Sequence, residues 1–201
     1  MADITEGSPP FDHSSVLLDR VLELFAPVPA GTVIDATLGG AGHAAALLEA
    51  RDDLRVLGLD QDPDALVAAQ ARLAPFGDRA TATHARFDRL ASVVAAAGAA
   101  SQPIVGVLFD LGVSSPQFDR PERGFSYRTD APLDMRMDTT RGRTAAELID
   151  ETDERELAAI LRRNADERFA SRIARALVAA RPVTTTGQLA ELVRNAIPAP
   201  A

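Results

Sequence analysis

The sequence predicts an α/β protein with a Rossmann-like, doubly wound, mostly parallel sheet, accompanied by a small helical domain. Three observations carry that expectation. Apolar runs of strand length alternate with helix-period segments through the first half. Three glycines fall within four positions directly after the first such run, and from Thr144 onward only helix-period segments follow. Strands separated by helices of this length need right-handed crossovers, which produce a parallel sheet.

The strands are read at "TVIDAT" (Thr32 to Thr37), "RVLGLD" (Arg55 to Asp60), "ATATHARF" (Ala80 to Phe87) and "IVGVLFDL" (Ile104 to Leu111). The second and fourth are apolar enough to be expected buried on both faces. Between them "GHAAALLEA", "DPDALVAAQARL" and "DRLASVVAAAG" carry helical spacing, and Asp62 before Pro63 is a helix start, with the proline where its missing N–H costs nothing. The Pro-, Gly-, Asp- and Arg-rich stretch after Leu111 has no sustained period and reads as a long loop, far beyond the usual ~4–6 residues and so expected to be functional. The helices that follow have Leu157, Ile160 and Leu161 on one face and Phe169, Ile173 and Leu177 on another.

Composition narrows the classes. At 201 residues, 46% hydrophobic and 25% charged, the chain suits a globular protein with one sizeable core or one domain plus part of another. A net charge of −8 argues against a broadly basic, nucleic-acid-coating surface, although Arg120, Arg123, Arg128, Arg136, Arg141 and Arg143 concentrate in the long loop. The absence of cysteine removes disulfides, thiolate metal sites and a cysteine nucleophile, and suits a reducing compartment. Met1 to Ser8 lacks the blocks of a signal peptide, and no apolar run approaches the ~20 residues of a membrane span. A cytoplasmic protein is expected.

Gly39, Gly40 and Gly42 lie at the carboxyl end of the first strand, where open α/β sheets bind ligands and the N–H groups of the next helix face a polar group. Gly40, Gly42 and Ala45 also satisfy G-x-G-x-x-A, which keeps a dinucleotide fold in play. Asp60 lies 21 residues after Gly39, the spacing at which a carboxylate accepts from ribose hydroxyls; Asp62 reads as a helix cap. Asp35 precedes a turn that has no basic residue of its own, which suits a cationic ligand better than a pyrophosphate. S-adenosylmethionine, with its sulfonium and α-amino groups, is thereby favoured over NAD. His43 is read either as a ligand contact or as a polar surface residue, and His13 and His84 have no partners at metal spacing, so no metal site is expected. "LFDLGVSSPQ" places Asp110, Ser114, Ser115 and Gln117 at or beyond the rim of the fourth strand; the competing reading is an ordinary polar loop stopped by Pro116.

The segments "HSSVLLDRVLELF", "DATLGGAGH", "GLDQDPDAL", "DLGVSSPQFDRPERGFSYRTDAPLDMRMD" and "ERFASRIARALV" together resemble the ribosomal RNA small-subunit methyltransferase H family, also called MraW. The resemblance runs from about His13 to the last residue, and Ala41 stands where many members carry glycine, a change expected to matter little. It implies a class I methyltransferase fold that uses S-adenosyl-L-methionine to methylate the exocyclic N4 of a cytidine in the decoding region of small-subunit ribosomal RNA. Carried over by position, the cofactor contacts are Ala41, Gly42, His43, Asp60, Phe87, Asp110 and Gln117; Phe87 would otherwise be read as core. The implied organisation is a cofactor domain over 1–115, a substrate-side loop over 116–143 and an inserted helical domain over 144–201. The implied partner is small-subunit ribosomal RNA or the small ribosomal subunit, with a homodimer left open. Such a sheet has about seven strands against the four read here, so the chain is expected to be a C-terminally truncated member. The rival readings are an NAD-dependent oxidoreductase and a non-catalytic fragment that binds cofactor or RNA.

Overall fold

The computed structural model describes residues 15–98 and 102–198; His13 and the stretch Met1 to Ser8 lie outside them. The chain divides into two compact units, 1–112 and 113–201.

The first unit holds α1 (Leu18–Phe25), β1 (Gly31–Asp35), α2 (Gly42–Ala50), β2 (Leu54–Asp60), α3 (Pro63–Leu73), β3 (Ala80–His84), α4 (Leu90–Ala96) and β4 (Ile104–Leu108). The four strands are all parallel, in the order β3-β2-β1-β4, with Asp35 in register with Gly58 on one side and Leu108 on the other. Successive side chains of β1 and β2 serve opposite faces, as strand geometry requires. Val33 and Val56 pack with Leu47, Leu48 and Leu66 of α2 and α3, while Ile34, Leu57 and Leu59 pack with Leu90, Val93 and Val94. Helices therefore cover both faces, and β1, with neighbours on both edges, is buried at every position. This is an α/β fold of the doubly wound, parallel kind.

Two expectations change here. The strands stop earlier than their apolar runs, at Asp35, His84 and Leu108, because the chain turns over the sheet rim once ladder pairing ends. The fourth strand is not buried on both faces: Ile104 and Val107 are 43% and 44% exposed, and among the described residues β4 pairs with β1 alone. Periodicity measures apolarity; it does not reveal whether a strand has a second neighbour.

Gly58 shows how tightly the turn after β1 is seated. A Cβ there would lie 2.6 Å from both methyl carbons of Leu38, and Leu38 is buried. Gly58→Ala is expected to destabilise by about 1–3 kcal/mol through overpacking, read as a lower urea midpoint with an unchanged slope. A midpoint equal to wild type would show that Leu38 has room to move.

The second unit contains α5 (Ser115–Asp119), α6 (Ala145–Glu151), α7 (Glu154–Ala165), α8 (Ala170–Ala179) and α9 (Thr186–Ala196). Its core joins Leu133, Ile149, Ile173, Leu177 and Val183, and a second cluster joins Leu157, Ala158, Ala170 and Ala174. The predicted long loop is more ordered than its composition suggested. Ser114 and Gln117 form a capping box that starts α5, with Pro116 in the first turn, so this proline opens a helix and does not stop one. Further on, the Arg123 guanidinium donates to the carbonyls of Arg136 and Met137, and Asp134 pairs with Arg136 at 2.7 Å. Asp138 accepts from Thr140 and Arg141. Leu133 donates to the Thr184 carbonyl, and Thr186 to that of Ala131, which binds the stretch to the start of α9.

Candidate functional site

The residues after β1 are fastened to the sheet rim one amide at a time. Ala36 N–H donates to the Leu108 carbonyl of β4 at 2.9 Å, and Thr37 N–H donates to Asp35 Oδ1 at 3.2 Å. Leu38 N–H then donates to the Leu59 carbonyl of β2 at 2.9 Å, and Gly39 N–H to Asp60 Oδ2 at 2.7 Å. The turn is thus held by β4 at its first residue, by its own strand at the second and by β2 at the next two. A segment without regular pairing acquires a single conformation because its successive donors from Ala36 to Gly39 have partners.

Two residues in this turn occupy the left-handed region, Gly39 at φ 52° and Ala41 at φ 62°. For Gly39 this is the ordinary use of glycine. A Cβ there would meet only the Thr37 carbonyl, at 4.0 Å, so the backbone faces open space. Ala41 is fully buried and carries the strain of a non-glycine residue; the substitution noted in the sequence therefore bears on the backbone as well as on volume. Gly42 begins α2, and the reason for glycine there is different: a Cβ would fall 2.0 Å from Ser15 Oγ.

His43 is buried, and its Nε2 lies 2.9 Å from the Val16 carbonyl. A carbonyl only accepts, so Nε2 carries the proton. This is not the surface position that sequence offered as one reading; the imidazole ties α2 to Val16, two residues before α1. Asp60 accepts from Gly39 and, through Oδ1, from Asp62 N–H at 2.8 Å. Asp62 caps α3 through Asp64 N–H at 3.0 Å, as its place before Pro63 indicated.

Asp35 is 2% exposed, and burial pushes its carboxyl up to about 6, with the Thr37 amide and His43 opposing only in part. Asp60 is also raised, again by burial, against the hydrogen bonds from Asp62 and Gly39. Asp110, just beyond β4, lies close enough to push the Asp35 carboxyl higher still. Its N–H donates to Thr37 Oγ1 at 2.7 Å. Three acidic residues from β1, β2 and the exit of β4 therefore lie within electrostatic reach of one another at the rim, with Asp60 on the Gly39 amide, a local negative charge that favours cationic or hydroxyl-rich groups.

Phe87 is 43% exposed and meets Phe109 edge-on, with ring centroids 5.8 Å apart. It is a surface aromatic at the rim and not a core residue. The first unit thus brings together Ala41, Gly42, His43 and Asp60 at the turn, Asp110 through Thr37, and Phe87 beside Phe109. Gln117 belongs to the second unit, where it is buried and its Oε1 accepts from Ser114 N–H at 3.0 Å. Thr37, Phe109 and Arg72 were not singled out from the sequence; the Arg72 guanidinium lies 3.3 Å from where a Gly42 Cβ would stand. A hydroxyl two residues after the strand carboxylate was the available signal for Thr37.

Known proteins share this sequence over nearly its whole length. The MraW methylase family matches residues 10–201. "Ribosomal RNA small subunit methyltransferase H" of Symbiobacterium thermophilum is 53% identical over 195 residues, 95% of this chain and 61% of that protein. The proteins of the same name from Mycolicibacterium gilvum and Frankia alni are 50% and 54% identical, over 99% and 94% of this chain and 57% and 60% of theirs. The chain spans about three fifths of the length of these relatives. With the family match running from residue 10 to residue 201, on a sheet of the expected kind, the chain belongs to the MraW methylase family.

Proposed function

We propose that this chain is the cofactor-binding part of an S-adenosyl-L-methionine-dependent methyltransferase acting on small-subunit ribosomal RNA, with the exocyclic N4 of a decoding-region cytidine as acceptor. The observation that carries the cofactor half is the clustering of Asp35, Asp60 and Asp110 within electrostatic reach at the rim, where Asp60 accepts the Gly39 N–H and the Gly39 backbone faces open space. Such a set complements a ligand with a sulfonium, an ammonium and a ribose diol. It opposes the pyrophosphate of NAD by charge. The substrate half rests on the names of the relatives and on the resemblance of the block after Asp110.

S-adenosylmethionine, when bound, supplies a methyl group activated by its sulfonium. Asp60, whose carboxylate already accepts from the Gly39, Asp62 and Gln61 amides, would orient the ribose through its remaining acceptor capacity. Asp35 lies below the turn as the balancing charge, and the exposed rings of Phe87 and Phe109 offer an apolar wall for the adenine. On the acceptor, the N4 lone pair is delocalised into the ring, and an anionic hydrogen-bond acceptor restores electron density to it. We assign that acceptor to the exposed Asp110 carboxylate. The same carboxylate would take up the proton that the amine gives up on receiving the donor's methyl group, the donor's sulfur leaving as a neutral thioether. A cytidine must be unstacked to be reached, and in the second unit Tyr127 is 73% exposed while Arg128 lies over the Phe118 ring at 5.6 Å, groups suited to stacking and phosphate contact.

Calorimetric titration with S-adenosylmethionine, beside NADH and beside Asp60→Ala, tests this reading. Saturable binding of S-adenosylmethionine is expected, with affinity about 10–100-fold weaker in the variant, the worth of hydrogen bonds to a charged group. Binding of NADH instead would establish the oxidoreductase. Intact cofactor binding with no methyl transfer to small ribosomal subunits would leave a binding fragment.

A further inference from the structure

Pairing between β1 and β4 ends with Asp35 beside Leu108, and the last ladder bond is Ala36 N–H to the Leu108 carbonyl. Past that point the backbones part, since β1 turns toward β2 while β4 runs on to Asp110. One side chain bridges the gap. Thr37 Oγ1 accepts Asp110 N–H at 2.7 Å, across 73 positions of sequence, and Thr37's own N–H reaches Asp35 Oδ1 at 3.2 Å. Thr37 is partly exposed and Asp110 exposed, so little apolar packing assists the contact.

We infer that Thr37 is a positioning residue: it prolongs the β1–β4 ladder by one side-chain bond and so sets where the Asp110 carboxylate stands relative to Asp35 and the open Gly39 backbone. The inference rests on the cofactor site proposed above. The hydroxyl is the necessary part. Serine supplies the same oxygen at the same reach, whereas valine has the same shape and no acceptor, which leaves the Asp110 amide to solvent and the strand exit free to swing. The effect falls on geometry at the site more than on stability, because the lost bond is near water, where a water molecule replaces it.

The experiment uses the whole chain with Thr37→Val and Thr37→Ser and has two readouts. In amide hydrogen exchange followed by NMR, Asp110 in the valine variant is expected to exchange about tenfold faster than wild type, with Ile34 and Val107 unchanged and with serine restoring protection. In calorimetry, S-adenosylmethionine is expected to bind the valine variant about tenfold more weakly and the serine variant within about twofold of wild type. Unchanged Asp110 protection in the valine variant, or a serine variant as impaired as valine, overturns the positioning role. So does wild-type affinity in a valine variant that has lost that protection. Failure of the wild-type chain to bind S-adenosylmethionine would instead sink the functional reading, while the exchange result still judges Thr37 on its own.

Discussion

Asp35→Asn is expected to make the protein more stable at neutral pH and a poorer binder of its cofactor. The carboxyl is almost wholly enclosed in β1, and burial raises it from 3.8 to about 6. Well below pH 3.8 the group is protonated in both the folded and the unfolded chain and contributes no difference. Between 4 and 6 the folded state holds the proton more tightly than the unfolded state, so stability falls as pH rises. Above 6 both states are ionised and the burial penalty is complete, about 3 kcal/mol for a shift of roughly two units. Asparagine keeps an oxygen for the Thr37 N–H and carries no charge. Unfolding curves of the two proteins should therefore coincide well below pH 3.8 and diverge up to pH 7, with the variant higher by as much as about 3 kcal/mol. Asp60 is raised as well and repels Asp35, so the difference between variant and wild type holds the burial of Asp35 together with its repulsion by Asp60, and both make it grow as pH rises. A difference that does not vary with pH would mean that the carboxyl is not the source. If the site is the proposed one, the same variant binds S-adenosylmethionine many-fold more weakly, stability and function trading against each other at one atom.

The second large effect is expected at Ala41. Its backbone sits at φ 62° with no exposure, at the entry to α2. A β-branched residue at that φ is a steric outlier, and two added methyls have no space, so Ala41→Val should lose about 2–4 kcal/mol, the sum of overpacking and extra backbone strain. Ala41→Gly should remain within about 1 kcal/mol of wild type, because relief of about 1–2 kcal/mol of left-handed strain is offset by a lost buried methyl and a freer unfolded chain. On these figures, alanine in a glycine position would change little in net stability only because sizeable terms of opposite sign cancel. Thermal unfolding of the pair measures both; a valine variant melting within a degree or two of wild type would contradict the strained conformation.

How much was legible follows from which interactions are local. Asp62 before Pro63 announced the start of α3, and the alternation of runs announced the sheet, because capping and periodicity are written within a few residues. The position of Asp60 was legible from its distance to the glycines, but its two backbone bonds were not, since they depend on how the turn folds back over β2. His43 was ambiguous for the same reason: its partner, the Val16 carbonyl, is 27 positions away. The exposure of β4 was hidden because an apolar run says nothing about neighbours. "SSPQ" was a readable capping signal that the surrounding loop composition obscured. Phe87 entered through family resemblance alone, and Thr37 was missed because a single hydroxyl carries no period.

The contact between Thr37 and Asp110 also sets an order of events during synthesis. The turn emerges from the ribosome 73 residues ahead of the strand exit that completes it, and at about 5–20 residues per second the interval is about 4–15 s. Over that time β1 has β2 beside it but no β4, and the Leu108 and Asp110 partners of Ala36 and Thr37 do not yet exist. In the second unit α6, α7 and α9, each beginning at its own side-chain cap, form from contacts close in sequence soon after they are made. The acidic rim around Gly39 is therefore assembled late relative to its own first residues, and a nascent chain acquires the geometry of this rim only after the fourth strand has been released and docked.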